Sequence, residues 1–340
     1  MIVNVGLSPK SVVDIAGSKH GPSGSALQLA LAERIRGHGA VLMASETEAQ
    51  ALLQMVRHSA GLTESERYRW RELLNWLQTG ERLKIAKPAF SALDDSHDLN
   101  DAPAAAHRPF VAVVSDETFG RLFPSNVEGF TAHAADLDIA TSGAATMSPL
   151  FQRSEQTAAR EVYMSGSTRE TVWNEILRPL ATRSKRVTVF DCYAFSEMYR
   201  RDNKNDSSPE HLEWLLSKLN AEAPPGTMVK IFGSRKQTGG AGALQIAQLL
   251  RQRWSEAPRR VVGVELVTLS GNQEFPHDRH ITFGDTTGLE LPSGLDRLAR
   301  PSVGKPFTFG YKWKLPQLEA LRHRVTTVLA LNPTVTPLSL

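Results

Sequence analysis

The chain has 340 residues, of which 41% are apolar and 22% charged, a composition typical of globular proteins that excludes a fibrous or largely disordered chain. At roughly 150 residues per domain, this length predicts about two domains. The formal net charge of +3 is compatible with nucleic acid or an anionic membrane surface as a partner, but it is too small to indicate either one.

The single cysteine, Cys192, excludes an internal disulfide framework and a zinc site built from several cysteines. No apolar run reaches the roughly 18–20 residues that a membrane-spanning helix needs. The first residues also lack the basic start and long apolar stretch of a cleaved signal peptide. We therefore expect a cytoplasmic protein without a transmembrane segment.

Short apolar runs alternate with amphipathic helical patterns in the first half of the chain. The pairs Ser45/Glu48 and Thr63/Glu66 have the spacing of capping boxes and predict two helix starts. In chain order, the predicted elements are a strand at 2–7, a helix at 25–36, a strand at 40–44, helices at 46–58 and 64–78, an exposed loop at 91–108, and strands at 110–114 and 136–140.

A turn-rich stretch from Gly143 to Gly166 precedes a second set of elements and predicts domains at 1–155 and 156–340. Strands that alternate with helices indicate an α/β class, here two α/β domains, of which the second has a mixed sheet flanked by helices. The predicted elements of the second half are a helix at 168–182, a strand at 186–195, a helix at 210–220, a strand at 228–232, a helix at 242–255, strands at 260–269 and 280–285, and a helix at 316–330.

The densest group of ionisable residues is His277-Asp278-Arg279-His280, at the entrance of a predicted strand. Arginine offers a planar fork for phosphate oxygens, and histidine serves as nucleophile or acid/base near neutral pH. The group therefore suits a phosphate site. It equally suits a solvated turn held by a structural His–Asp hydrogen bond.

Two further polar groups follow predicted strands. Ser234, Arg235 and Lys236 lie between a strand and a helix, where backbone amides and two cations suit an anion, although a basic surface loop has the same composition. The segment lacks the Gly-x4-Gly-Lys-Ser/Thr spacing, which excludes a P-loop nucleoside triphosphatase. Asp191 and Tyr193 come at the end of another strand, where open α/β sheets place their sites.

Several stretches in this order resemble the phospholipase D-like domain found at the C-terminus of proteins with a microtubule-interacting-and-transport domain, and its stand-alone bacterial relatives. The resemblance covers about 160–315, the second half only. The stretches that carry it are Ser167-x-Arg169-Glu170-x-x-Trp173, Arg178-Pro179-Leu180, Val189-Phe190-Asp191-x-Tyr193, His277-Asp278-Arg279-His280-Ile281 and Ser293-Gly294-Leu295-Asp296.

Active phospholipase D-like enzymes use His-x-Lys-x4-Asp, with the histidine as covalent phosphate nucleophile and the lysine as phosphate clamp. In this sequence His277 matches the histidine and Arg279 the lysine, whereas Gly284 stands at the aspartate position and Asp285 comes one place later. Those enzymes combine two copies of the motif in one site. The one copy found in this sequence therefore implies a homodimer.

The resemblance leaves two functions open. One is a phosphodiester-cleaving, nuclease-like effector, in the setting of bacterial phage defence that the bacterial relatives suggest. The other is a non-catalytic module that binds a protein partner, nucleic acid or an anionic membrane surface. Neither requires a cofactor in the second domain.

For the enzyme, each candidate residue has an expected role. His277 is the nucleophile or acid/base, and His280 is the second proton carrier. Asp191 and Tyr193 orient His277 or complete the wall of the site. The residues expected to hold the phosphate are Arg279, Arg235, Lys236 and Ser234.

The first half resembles PIN-type nucleases more weakly. In these, three or four carboxylates at strand ends bind divalent metal, and a metal-bound water attacks phosphate. The candidate ligands are Glu48, Asp116, Asp136 and Asp138. Asn4 stands where the first strand of that family offers aspartate, which predicts weaker metal binding. Capping or solvated carboxylates are the alternative, so a divalent metal is expected only if this domain is active.

Overall fold

The computed structural model describes residues 2–97, 105–134, 136–196, 210–235, 238, 241–269 and 275–338. Helices and parallel or mixed sheets fill these ranges, so the predicted α/β class is confirmed. The chain divides into two compact units, Met1–Thr157 and Ala158–Leu340.

The first unit contains a six-stranded sheet. Its strands are β1 (Val3–Leu7), β2 (Gly39–Met43), β3 (Leu83–Ile85), β4 (Phe110–Val114), β5 (Phe130–Ala134) and β6 (Leu137–Thr141). Their order across the sheet is β3-β2-β1-β4-β6-β5, and only β5 is antiparallel to its neighbour. The order reverses between β1 and β4, which is the pattern of a doubly wound fold.

Helices cover both faces of this sheet. They are α1 (Ser11–Asp14), α2 (Gly17–His38), α3 (Glu46–His58), α4 (Glu64–Thr79), α5 (Asp116–Leu122) and α6 (Pro149–Ala159). The segment α2 is interrupted at Gly21, whose φ of 60° is not helical. The Thr63/Glu66 capping box is present, and the Ser45 hydroxyl accepts the Glu48 N–H at 3.1 Å.

The core of this unit lies on both faces of its central strands. Val5 and Val111 pack with Trp70 and Leu74 of α4 on one face. Phe110 and Ala112 pack with Phe119 and Leu93 on the other. Burial on both faces explains why β4 is a continuous apolar run, Phe110–Val114, rather than an alternating one.

The second unit contains a seven-stranded mixed sheet. Its strands are β8 (Arg186–Asp191), β9 (Thr227–Ser234), β10 (Val261–Leu269), β11 (Arg279–Phe283), β12 (Thr287–Glu290), β14 (Gly310–Lys312) and β15 (Thr334–Pro337). Their order is β14-β12-β11-β8-β9-β10-β15, with β8, β9 and β10 parallel. The strands β7 (Val162–Tyr163) and β13 (Phe307–Thr308) form a separate antiparallel pair.

The helices of the second unit are α7 (Arg169–Val172), α8 (Arg178–Ala181), α9 (His211–Glu222), α10 (Ala243–Arg253) and α11 (Leu315–Ala330). A π-helical turn, Trp173–Leu177, joins α7 to α8. Together they span the predicted helix at 168–182. A 3-10 turn at Leu295–Leu298 follows the Ser293-Gly294 dipeptide.

The predicted strand at 186–195 is too long. The chain turns directly after Asp191, because the Ala194 N–H donates to the Asp191 carbonyl at 3.0 Å and the Ser196 N–H donates to the Tyr193 carbonyl at 3.1 Å. Asp191 is therefore the last residue of β8. Tyr193 lies in the turn beyond the strand end.

The antiparallel pairing of β11 with β8 places Arg279 directly opposite Asp191 and His280 opposite Phe190. Successive side chains of a strand point to opposite faces of the sheet. Arg279 and Asp191 therefore share one face, and His280 and Phe190 share the other. This register determines which of the sequence-predicted site residues can meet.

Candidate functional site

The carboxyl ends of β8, β9 and β10 meet at one edge of the second sheet. The Ser234 N–H donates to the Cys192 carbonyl at 3.2 Å, which joins the turn after β8 to the end of β9. Arg235 follows, and its Nε donates to the Leu269 carbonyl at the end of β10 at 2.9 Å. The structure thus brings Asp191, Ser234 and Arg235 to one sheet edge. Lys236 lies outside the described residues.

Arg279 is held between two carboxylates at this edge. Its Nε lies 3.6 Å from Asp191 Oδ1, and its Nη1 lies 3.4 Å from Asp296 Oδ1. The guanidinium carbon lies 4.5 Å from the centre of the Tyr193 ring, a cation–π contact. The Arg279 side chain is 20% exposed and so reaches solvent. The two carboxylates and the Tyr193 ring fix its direction.

Asp191 is the buried anchor of this arrangement, with 2% of its surface exposed. Its Oδ1 accepts the Tyr193 N–H at 2.8 Å. Burial raises the pKa of this carboxyl, and the Tyr193 N–H, Arg279 and His211 oppose the rise. The negative charge that holds Arg279 is therefore opposed by burial and favoured by the Tyr193 N–H, Arg279 and His211.

Gly294 makes room for the Arg279–Asp296 pair. Its φ of 78° and ψ of 161° belong to a region of backbone conformation that is essentially restricted to glycine. A Cβ at this position would also overlap the Arg279 guanidinium and the Asp296 carboxylate. The Ser293-Gly294-Leu295-Asp296 stretch thus has a definite structural role: it leaves room for Arg279 beside Asp296.

His277 is exposed and lies beside Tyr193. Its Nδ1 lies 3.3 Å from the Tyr193 hydroxyl and 3.9 Å from Cys192 Sγ. In the tautomer whose Nδ1–H donates to the Tyr193 oxygen, Nε2 carries the lone pair that a nucleophile or general base needs. Burial, with Asp191 adding to it, raises the pKa of the Cys192 thiol to about 11, so this cysteine is a thiol rather than a thiolate at neutral pH.

His280 does not belong to this site, and its predicted role as second proton carrier needs correction. The register turns its ring to the opposite face, where it is fully buried and stacks on Phe190 with ring centres 4.7 Å apart. Burial, assisted by the charge of Arg324, lowers the pKa of His280 to about 3. The ring is therefore a neutral part of the core that packs under α11.

Sequence reasoning missed the roles of three charged residues that act on Arg279 or Asp191 or on each other. Asp296 was noted only as part of a motif, and Glu210 and His211 only as a helix start. Glu210 and His211 are 0% and 1% exposed, and His211 Nδ1 lies 2.8 Å from Glu210 Oε1. Burial lowers the pKa of His211, but Glu210, Asp191 and Asp296 outweigh it and raise the value to about 9. No periodicity could have shown this, because the contacts join segments distant in sequence.

The four carboxylates proposed as metal ligands in the first unit do not assemble. Asp116 follows the carboxyl end of β4, whereas Asp136 precedes the amino end of the parallel neighbour β6, so they lie at opposite edges of the sheet. Asp136 lies 3.9 Å from Arg153. Among the residues that the structure describes, no group of three or more His, Cys, Asp or Glu side chains is arranged to hold a metal ion.

The other two carboxylates are buried caps. Glu48 accepts the N–H groups of Ala44 at 2.6 Å and Leu93 at 3.1 Å. Asp138 accepts the Ser148 hydroxyl at 2.5 Å and the Leu150 N–H at 3.1 Å. These contacts match the alternative in which the carboxylates cap backbone N–H groups rather than bind a metal ion.

Asn4 also departs from the PIN pattern. It is the second residue of β1, far from the carboxyl end of that strand, and its amide donates to the His107 carbonyl at 2.6 Å. Its side chain is therefore used to connect β1 to the chain before β4.

Comparison of the chain with models of protein families and with curated proteins finds no match. None of the described helices is long and apolar enough to cross a membrane.

We expect Gly294→Ala to lower the free energy of unfolding by about 1–3 kcal/mol, because alanine is strained at this φ and ψ and its methyl group displaces Arg279. The matched control is Gly304→Ala, since a Cβ at Gly304 meets no atom within 4 Å. Urea denaturation of both variants measures the difference. Equal stability of the two variants would contradict the role given to Gly294.

The charge of His211 predicts a pH dependence of stability. A histidine whose folded pKa is raised stabilises the fold fully below the unfolded value of about 6.5. That contribution is lost as the pH rises through the folded value of about 9. The urea midpoint of the wild type should therefore fall towards that of His211→Gln between pH 6.5 and 9, and a constant difference over this range would contradict the assignment.

Proposed function

We propose that the protein is a phosphodiester-cleaving, nuclease-like enzyme whose active site is the corner formed by His277, Tyr193, Arg279, Asp191 and Asp296. The observation that carries this proposal is the exposed His277 ring, with Nδ1 directed at the Tyr193 hydroxyl beside a fixed arginine. A base oriented by a second group and placed next to an anion-binding cation is the arrangement that phosphoryl chemistry uses.

In this proposal each group has one task. Arg279 binds a non-bridging phosphate oxygen and neutralises charge that develops there. His277 Nε2 either attacks phosphorus, so that the leaving oxygen departs with the P–O electron pair, or removes a proton from an attacking water. Tyr193 holds the ring through Nδ1. Arg235 adds a second cation at the same sheet edge.

Nucleic acid is the substrate class that we propose, in the bacterial phage defence setting that the family resemblance implies. The chemistry described requires only a phosphodiester, and the mildly positive charge of the chain is compatible with a polyanion. The substrate arms of the experiment below include single- and double-stranded DNA and RNA.

A specific observation supports a second candidate function, a module that binds anions or a partner without cleaving. Asp191 and Asp296 both lie within 4 Å of Arg279 and offset its charge, as in a structural ion-pair network. The removal of His280 to the opposite face also leaves His277 without a second histidine from its own motif. The variants below distinguish the two functions.

We also propose a homodimer, in which a two-fold axis brings a second His277 to the site. The reason is that departure of the leaving group requires a proton donor, and His280 is too deeply buried to supply one. Light scattering at micromolar concentration should give twice the monomer mass, and turnover per chain should fall on dilution below the dissociation constant. A fully active monomer would contradict this proposal.

His277→Ala should abolish nucleic-acid turnover and leave affinity nearly unchanged, because a nucleophile or base acts in the chemical step. Arg279→Ala should weaken both, and should reduce the slope of binding against salt by about one unit because one phosphate contact is lost. The matched control is His323→Ala, which removes an exposed histidine from α11 of the same unit.

Cleavage should survive EDTA, since the proposed groups act without metal. If cleavage is abolished by EDTA and retained in His277→Ala, the nuclease site lies elsewhere in the chain. If none of the four nucleic acids is cleaved and Arg279→Ala only weakens binding, the binding module is the function. Full turnover of His277→Ala would overturn the catalytic assignment.

A further inference from the structure

A buried pair of opposite charges lies at the start of α9, and the charge of its histidine acts on Asp191. Glu210 occupies the N-cap position of α9 and His211 is the first residue of the helix, and neither side chain is more than 1% exposed. Burying two ionised groups costs several kcal/mol unless they are closely paired and also interact favourably with other groups. A helix start does not need such a pair, since a serine or threonine caps as well.

The charges around the Glu210–His211 pair indicate which group the pair stabilises. Asp191, Glu210 and Asp296 supply three negative charges to the corner, and Arg279 and His211 supply two positive charges. Asp296 is 40% exposed at its side chain and is partly solvated. Asp191 is almost fully buried, so the stability of its charge depends on the two cations.

Three interactions lead from Glu210 to Arg279, of which the first and last are contacts and the middle one is a charge interaction through space. The Glu210 carboxylate contacts His211, the charge of His211 acts on Asp191, and Asp191 contacts Arg279 at the sheet edge. Each step joins an element of the core to the next, from α9 through the end of β8 to the start of β11. A change at Glu210 should therefore reach Arg279 without any direct contact between them.

We propose that Glu210 and His211 form a positioning couple: the buried Glu210 carboxylate pairs with the His211 ring, the pair supports the charge of Asp191, and Asp191 aims Arg279 at the phosphate. This inference rests on the proposed function for its last step only. Neither residue of the couple touches the substrate, so neither is a catalytic residue.

The test is a double-mutant cycle on oligonucleotide binding. All variants carry His277→Ala, so that the probe, a fluorescent single-stranded DNA oligonucleotide, is not cleaved. Glu210→Gln should weaken binding about tenfold, the loss of roughly one charge-assisted hydrogen bond. Arg279→Ala should weaken it at least as much. In the background of Arg279→Ala, Glu210→Gln should cause no further loss, because both changes remove the same contact.

The matched control is Glu66→Gln. Glu66 is also a buried carboxylate at the start of a helix, where it accepts the Thr63 N–H at 2.9 Å, but it belongs to the first unit. This control should leave the affinity unchanged. Additive losses for Glu210→Gln and Arg279→Ala, or an equal loss for Glu66→Gln, would show that the Glu210–His211 pair only stabilises its helix and would overturn the proposal.

A second measurement does not depend on nucleic acid. In an NMR titration, the His211 ring should remain protonated at pH 7.5 in the wild type and become neutral in Glu210→Gln. A neutral His211 ring in the wild type at pH 7.5 would overturn the couple. If the wild type binds no oligonucleotide, the proposed function fails while the titration still decides the couple.

Folding of the variants is checked first by circular dichroism. If Glu210→Gln does not fold, His211→Gln replaces it in the cycle, since a neutral glutamine in place of the imidazolium also removes the counter-charge of Asp191. Glu210→Asp keeps the carboxylate and should restore affinity and His211 protonation. Failure of this conservative variant to restore either one would contradict the charge argument.

Discussion

The ion pair between Asp191 and Arg279 joins the parallel and antiparallel parts of the second sheet. Asp191 ends β8, whose other neighbour β9 is parallel, and Arg279 begins β11, which runs antiparallel to β8. The two charges meet only in the observed register, since a slip of one residue would put Arg279 on the apolar face. The ion pair and the core therefore favour the same register.

That register separates two histidines that are three residues apart. His277 precedes β11 and reaches Tyr193 at the exposed edge, whereas His280 lies within the strand and stacks on Phe190 in the core. Identical side chains thus have different chemistry because of their position along the strand. The exposed ring is available for proton transfer or attack, and the buried one stays neutral.

Where local pattern alone decides structure, the sequence predicted the fold well. The strand Phe110–Val114 and the helix Glu46–His58 were predicted with their observed bounds, because the strand is a continuous apolar run and the helix has a capping serine. Short or polar elements such as β3 and β5 were missed, since three residues or a half-exposed strand give little periodic signal. Their pairing depends on neighbouring strands.

The site was predicted in part. Asp191, Arg235 and His277 were expected to converge because each lies at a strand end, whereas the role of Tyr193 beside His277 came from the family resemblance. Glu210 and His211 could not be found, since their proposed role arises from the charge interaction of His211 with Asp191, which is distant in sequence. The carboxylates of the first unit show the converse: Asp136 and Asp116 flank neighbouring strands, but the direction of those strands puts them at opposite edges.

The claim that this corner binds a phosphodiester at His277 and Arg279 can be tested by NMR of the histidine ring nitrogens during titration with a dinucleoside phosphorothioate. The account predicts that the Nε2 signal of His277 shifts on binding, that its Nδ1 stays protonated towards Tyr193, and that the signals of the exposed His323 do not move. A saturating titration that leaves His277 unchanged would contradict it.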